Sequence, residues 1–433
     1  MNKSNFIRQI AIVIGVITLL TIPLVTGCAQ KEPAAPAASA VEKPSVVKLY
    51  GYGDLSGPVA PVSGPVVAAM SDMAKWYYEN KGGIDGVPIE IVARDTEYKL
   101  EQAIAAYNAF REEKPKPLIF YTWGSAEIEA LKDRFIEDEI VGVMYASNTA
   151  AIYPPGYLFM TTPGYTDHFG AFMDWVSDVW SKETGQKVKL GICTWDNAYG
   201  RAILVDECRD YAKKKGIEIV AEEVFPITAL ECSTQMKRIT TAGANWVYDN
   251  TLGNGPGTVS KALSELGVLA SDLKNTKTGM VHRATSPFPG GSSTATTMLA
   301  PDVSDGLIMN RALASWNEVD NPGIKVALDI MAKNNRESKM MVSGYLSGLE
   351  GMYLACEALN SAVKAVGWDK LDGKAIKDQF EQFRNFDILG LGTYTITPDK
   401  HEPTTVRIYQ VQGGKIIPIT DYMTCPDLRP YKY

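Results

Sequence analysis

Residues 188–223 read VKLGICTWDNAYGRAILVDECRDYAKKKGIEIVAEE, and the rhythm of this stretch decides the fold. The run 188–194 is short and rich in β-formers, 199–215 has the length and polar face of an amphipathic helix, and 218–222 is β-rich again. Strand, helix and strand in so little chain make a βαβ unit, with parallel strands and a helix crossing one face of their sheet.

The same alternation extends in both directions. Upstream, strands are expected at 47–52, 88–93, 117–123 and 141–145, separated by helices at 62–81, 100–113 and 127–137. In the first helix, Val66, Ala69, Met70, Met73 and Trp76 recur at helical spacing. Around the quoted stretch, a helix at 167–180 precedes it, and helices at 232–242 and 258–266 with strands at 246–248 and 279–282 follow. Two such series predict an α/β protein of two doubly wound parallel-sheet lobes, with ligands bound beyond the carboxyl ends of the strands. The remainder, a Gly/Ser/Thr/Pro-rich loop at 287–301, a strand at 306–311, a long helix at 344–367 and a hairpin turning at Gly413-Gly414, completes these lobes rather than forming a third.

The chain has 433 residues, 45% of them apolar, and a net charge of −7. That length suits two lobes of ordinary domain size. A mildly acidic chain without a basic stripe is a poor nucleic-acid binder. Beyond Cys28 there are five cysteines, Cys193, Cys208, Cys232, Cys356 and Cys425, with no CxxC pair. Zinc ribbons and thioredoxin-type sites therefore find no support, and neither a metal nor a cofactor is expected.

The amino terminus is read as an export signal. Lys3 and Arg8 precede a short apolar run that ends in Val25-Thr26-Gly27-Cys28. This tetrapeptide resembles a bacterial lipobox, which implies cleavage after residue 27 and acylation of Cys28; a plain secretory signal or a retained anchor are the alternatives. Residues 28–46 then form a flexible, proline-rich tether without aromatic residues. The expected location is outside the cytoplasm, held by lipid to the cell membrane and facing the periplasm or cell exterior.

Several segments carry a family likeness. Leu55-Ser56-Gly57-Pro58 follows the first strand, Trp123-Gly124-Ser125-Ala126 opens the third helix, and Met144–Thr149 follows the fourth strand. Trp195-Asp196-Asn197-Ala198-Tyr199-Gly200, the Gly-rich helix 344–362 and Gly413-Gly414-Lys415-Ile416 complete the set. Their order resembles the branched-chain amino acid (Leu/Ile/Val) binding family of ABC importers, of the type I periplasmic binding protein fold. The resemblance implies lobe 1 from 47–163 with 311–390 and lobe 2 from 164–310 with 391–433, joined by several hinge crossovers. It also implies a monomer that closes over a small amino acid or organic acid and delivers it to ABC permease subunits.

Candidate ligand contacts follow from the resemblance and from chemistry. Ser125 and Ala126 open a helix whose free N–H groups suit a carboxylate, although Ser125 as a cap serving only its own helix is the alternative. Ser147, Asn148 and Thr149 end the next strand, and Tyr199 faces the cleft from the second lobe. Trp123 and Trp195 lie on loops of opposite lobes, where they sandwich a flat ligand or sit in the core. Amino acid binders of the family place a carboxylate after the strand 279–282, where this chain has His282 and Arg283. A cation there favours an aromatic or short-chain acid without an amine; a salt bridge elsewhere is the alternative reading of Arg283.

Rival classes leave weaker traces. The three histidines, His168, His282 and His401, belong to no zinc-type HExxH, and no GxSxG elbow occurs, so an enzyme is not expected. A ligand-binding sensor working with a membrane signalling partner remains the alternative function.

Overall fold

The computed structural model describes residues 43–286 and 301–430. The signal, Cys28, most of the tether and the loop 287–300 lie outside the described residues. Strands β1 (Val47–Gly53), β2 (Ile89–Asp95), β3 (Ile119–Tyr121), β4 (Val141–Met144) and β5 (Leu158–Met160) form one sheet in the order β2-β1-β3-β4-β5. All its pairings are parallel. Gly51 lets β1 approach β3, since a Cβ there would sit 2.7 Å from the Tyr121 carbonyl oxygen.

The second lobe repeats the plan. Strands β6 (Lys189–Trp195), β7 (Glu218–Phe225), β8 (Trp246–Asp249), β9 (His282–Thr285) and β10 (Ile308–Arg311) run parallel in the order β7-β6-β8-β9-β10. The sheet is then extended by antiparallel strands, Thr405–Gln412 and Lys415–Pro418. Gly413 and Gly414 join these two with φ of 56° and 72°, the positive values that a two-residue type I′ turn requires.

Helices cover both sheets. Helix α1 (Ala60–Lys81) packs on the long helix Ser343–Val366 across a stripe of small residues. A Cβ on Gly344 or Gly348 would come within 2.5 or 2.3 Å of the Val62 or Val66 carbonyl oxygen. The late helix thus completes lobe 1, as does Pro322–Lys333, which also reaches α1.

Three elements differ from the sequence reading. The expected helix 199–215 is two helices, Ala198–Arg201 and Asp206–Lys214, because Asn197 caps a tight turn through its Oδ1 and Gly200 N (2.8 Å). The strand expected at 279–282 starts three residues later, since Gly279 has φ of 88°, outside strand geometry. The third concerns the lobe boundary expected at residue 391. Tyr394 Oη donates to the Met160 carbonyl (2.9 Å), and His401 stacks on Phe159 with centroids 4.1 Å apart. The chain therefore stays with lobe 1 to about residue 402 and joins the second sheet at Thr405.

Candidate ligand site between the lobes

Ten residues enclose a cavity between the two sheets' carboxyl ends: Tyr98, Thr122, Trp123, Gly124, Ser125, Tyr145 and Ala146 from lobe 1, with Tyr165, Tyr199 and Leu252 from the chain beyond the first crossing. Its volume is about 20 Å³, room for a single water rather than a whole solute.

The lobe 1 wall is built at the start of helix α2 (Ser125–Glu137). Its N-cap is Gly124, with φ of 83°, so Ser125 is the first helical residue and not the cap. The Ser125 side chain is buried, with Oγ beside the Tyr165 hydroxyl. A buried hydroxyl at a helix N-terminus is suited to a carboxylate oxygen. Glycine suits position 124, because its φ of 83° is a backbone conformation that L side chains rarely adopt.

The opposite wall is made of tyrosines. Tyr199 Oη shares a 2.6 Å hydrogen bond with Ser286 Oγ, and the ring meets Tyr165 edge to face, with centroids 4.8 Å apart. Tyr165 Oη donates across to the Ala146 carbonyl (3.0 Å). None of the ten lining residues carries a charge. The nearest acids lie behind the walls: burial pushes Glu127 up to about 7, with Asp54 adding to the shift. Burial likewise pushes Asp249 up to about 7, against hydrogen bonds from Thr251 and Thr285.

The structure sorts the residues singled out from sequence. Trp123, Ser125 and Tyr199 line the cavity, and Trp195 packs behind Tyr199 at 6.4 Å. Ala126 lies one residue along α2, outside the lining. After β4 the wall is Tyr145 and Ala146 rather than Ser147, Asn148 and Thr149. Ser147 Oγ is buried and unpartnered, Asn148 caps the short helix Thr149–Ile152, and Thr149 shares a hydrogen bond with Thr166 (2.7 Å).

His282 and Arg283 are not brought to the cavity, contrary to expectation. With β9 starting at His282, both sit at the amino end of their strand, and Ser286 follows its carboxyl end. Arg283 is fully buried and donates to the Val303 and Asp305 carbonyls (3.1 Å to the latter). His282 stacks on Trp246 (4.9 Å), and burial lowers its pKa to about 4. Sequence reasoning missed Tyr98, Tyr145, Tyr165, Leu252 and Ser286. For Tyr165 the breaker pair Pro163-Gly164 just before a helix was the available signal.

A cavity between two doubly wound lobes, closed by side chains from both, defines a two-lobed ligand-binding protein. The chain belongs to the periplasmic binding protein family, whose sequence model matches residues 48–415. No curated protein matches it. Among solved structures it is similar to a branched-chain amino acid ABC transporter protein from Thermus thermophilus with bound valine (21% identity, TM-score 0.77, covering 88% of this chain and 96% of that one). It is also similar to a fatty acid ABC transporter substrate-binding protein from Thermomonospora curvata (20% identity, TM-score 0.71, 90% and 94% covered). A third is an ABC transporter solute-binding protein from Rhodopseudomonas palustris HaA2 in complex with p-hydroxybenzoic acid (17% identity, TM-score 0.70, 88% and 98% covered). At these identities the likeness is one of fold.

Proposed function

We propose that this protein is the substrate-binding component of an ABC importer, exported, anchored through a lipid on Cys28, and devoted to capture rather than catalysis. Its ligand is a small carboxylate without an amine, of the aromatic or short-chain aliphatic kind. The observation that carries the ligand class is the uncharged lining around the buried Ser125 hydroxyl at a helix start. A carboxylate finds a donor there, whereas an ammonium would find no acid among the lining residues. The residue beyond β9, Ser286, is neutral as well, and its hydroxyl is shared with Tyr199. Tyr98, Tyr145, Tyr165, Tyr199 and Trp123 supply flat faces for an apolar ligand body. Hinge closure then brings Tyr199 and Leu252 over a ligand seated on lobe 1. The bound acid of the Rhodopseudomonas protein is consistent with this chemistry.

Thermal shift of the mature protein against paired acids tests the reading: 4-hydroxybenzoate and hexanoate against leucine and valine. Binding to the folded state raises the apparent melting temperature. Stabilisation by the amine-free acids is the expected outcome. Stabilisation by leucine or valine alone overturns the ligand class and leaves the carrier function standing.

A further inference from the structure

Two of the buried cysteines face each other. Cys193 lies in β6 and Cys232 is the N-cap residue of the helix Ser233–Thr241, which covers that strand. Gly191 and Cys193 are two residues apart and share one face of the sheet. On that face a Cβ at Gly191 would lie 2.3 Å from Ile239 Cγ2, which fixes how the helix sits. The helix links two strands parallel to β6, so it runs antiparallel to it. Moving from Gly191 to Cys193 advances about 7 Å along the strand. Moving from Ile239 back to Cys232 covers about 10 Å of helix. The remaining offset, about 4 Å, is within the reach of two Cβ–Sγ arms. Accordingly the Cys193 thiol is in hydrogen-bonding contact with Cys232. Both residues are fully buried, and the Cys232 side chain makes no cap of its own.

We propose that Cys193 and Cys232 form a disulfide when the chain folds in an oxidising compartment; this rests on the export part of the function proposed above. The oxidant is a dithiol–disulfide exchange protein. One cysteine thiolate attacks its disulfide to give a mixed disulfide, and the second attacks that bond. The carrier leaves as a dithiol holding the two electrons and two protons that the cysteines lose. The link pins the carboxyl half of β6 to its covering helix. From there Thr194 Oγ1 donates to the Gly200 and Asn250 carbonyls (3.0 and 2.7 Å), so the crosslink steadies the turn that carries Tyr199 into the cavity.

The full chain is expressed with its own leader, denatured, alkylated without reductant and mapped by mass spectrometry. The expected result is one Cys193–Cys232 linked peptide, with Cys208, Cys356 and Cys425 alkylated. Separately, reduced protein is refolded with oxidised glutathione. A link in the refolded protein but not in the exported one supports the pairing and sinks the export reading. Free Cys193 and Cys232 in both samples, or a link to another cysteine, overturns the proposal. Reductant should lower the melting temperature of the linked protein and leave a Cys193→Ser/Cys232→Ser variant unchanged.

Discussion

Tyr165 and Tyr199 meet edge to face at the centre of the interlobe cavity, their ring planes 86° apart. Each hydroxyl is held elsewhere: Tyr165 by the Ala146 carbonyl of lobe 1, Tyr199 by Ser286 of lobe 2. The pair thus joins a lobe 1 loop to the lobe 2 strand ends through two hydrogen bonds and one ring contact. The same two side chains line the cavity and bridge the lobes.

Tyr165→Phe should keep the ring contact and lose the bond to Ala146. A net hydrogen bond is worth about 1 kcal/mol, so ligand affinity should fall about fivefold while the melting temperature of the free protein barely moves. Calorimetric titration with the best acid of the panel checks this. An unchanged affinity would mean that the bond does not favour the closed form.

Glu127 should make stability depend on pH. Its folded pKa is raised to about 7 by burial, above the value of about 4.3 of a free glutamate. The proton is therefore held more tightly in the folded state. The corresponding stability is fully present below about pH 4 and is lost as pH rises through 7. Asp249 and Glu402, raised by burial to about 7 and about 8, act in the same direction, so the comparison must be with a variant. Glu127→Gln should flatten the decline in unfolding free energy between pH 5.5 and 8.5, by about 2 kcal/mol across that window. Parallel profiles for the two proteins would contradict it.

Arg283 should behave as a structural residue. Truncation to Ala removes its bonds to the Val303 and Asp305 carbonyls and the positive charge nearest the buried Asp249. Breaking a buried charge arrangement of this kind costs about 3–5 kcal/mol. Urea denaturation of Arg283→Ala should show that loss, with ligand affinity of the folded fraction within about twofold of the parent. A stable variant that no longer binds acids would return Arg283 to the cleft.

Much of the architecture was legible because alternation of strand and helix has one packing solution. The places of Ser125, Trp123 and Tyr199 beside the cavity were legible too, since they follow strand ends whose positions the pattern fixes. The charge at the second lobe's strand end was not. In 279–285 the apolar residues allow more than one strand window, and a shift of three residues replaces His282-Arg283 by Ser286 at the site. The lobe boundary at 391 failed for a related reason. The two-residue strands Phe386–Asp387 and Thr393–Tyr394 are too short to give a periodic signal, yet Tyr394 ties the chain there to Met160 of the first sheet. Tyr98 enters the cavity from a turn with φ of 58°, a conformation that sequence alone does not assign to tyrosine.

Ser125 offers the sharpest discrimination, because its hydroxyl caps no helix end and its neighbour Tyr165 keeps the bond to Ala146 without it. Removing it by Ser125→Ala leaves no orphaned group and does not disturb the cap, which is Gly124. Stability should therefore stay within about 0.5 kcal/mol of the parent. Binding should not. A hydrogen bond to an ionised carboxylate is worth about 2 kcal/mol, so affinity for the best acid should fall roughly thirtyfold. The primary amide of the same ligand, which gains no charge-assisted bond, should lose only a few-fold. Calorimetric titration of both ligands against both proteins gives the four affinities. Equal losses for acid and amide would mean that Ser125 only shapes the wall, and the carboxylate would then have to be sought at Ser147 or Ser286.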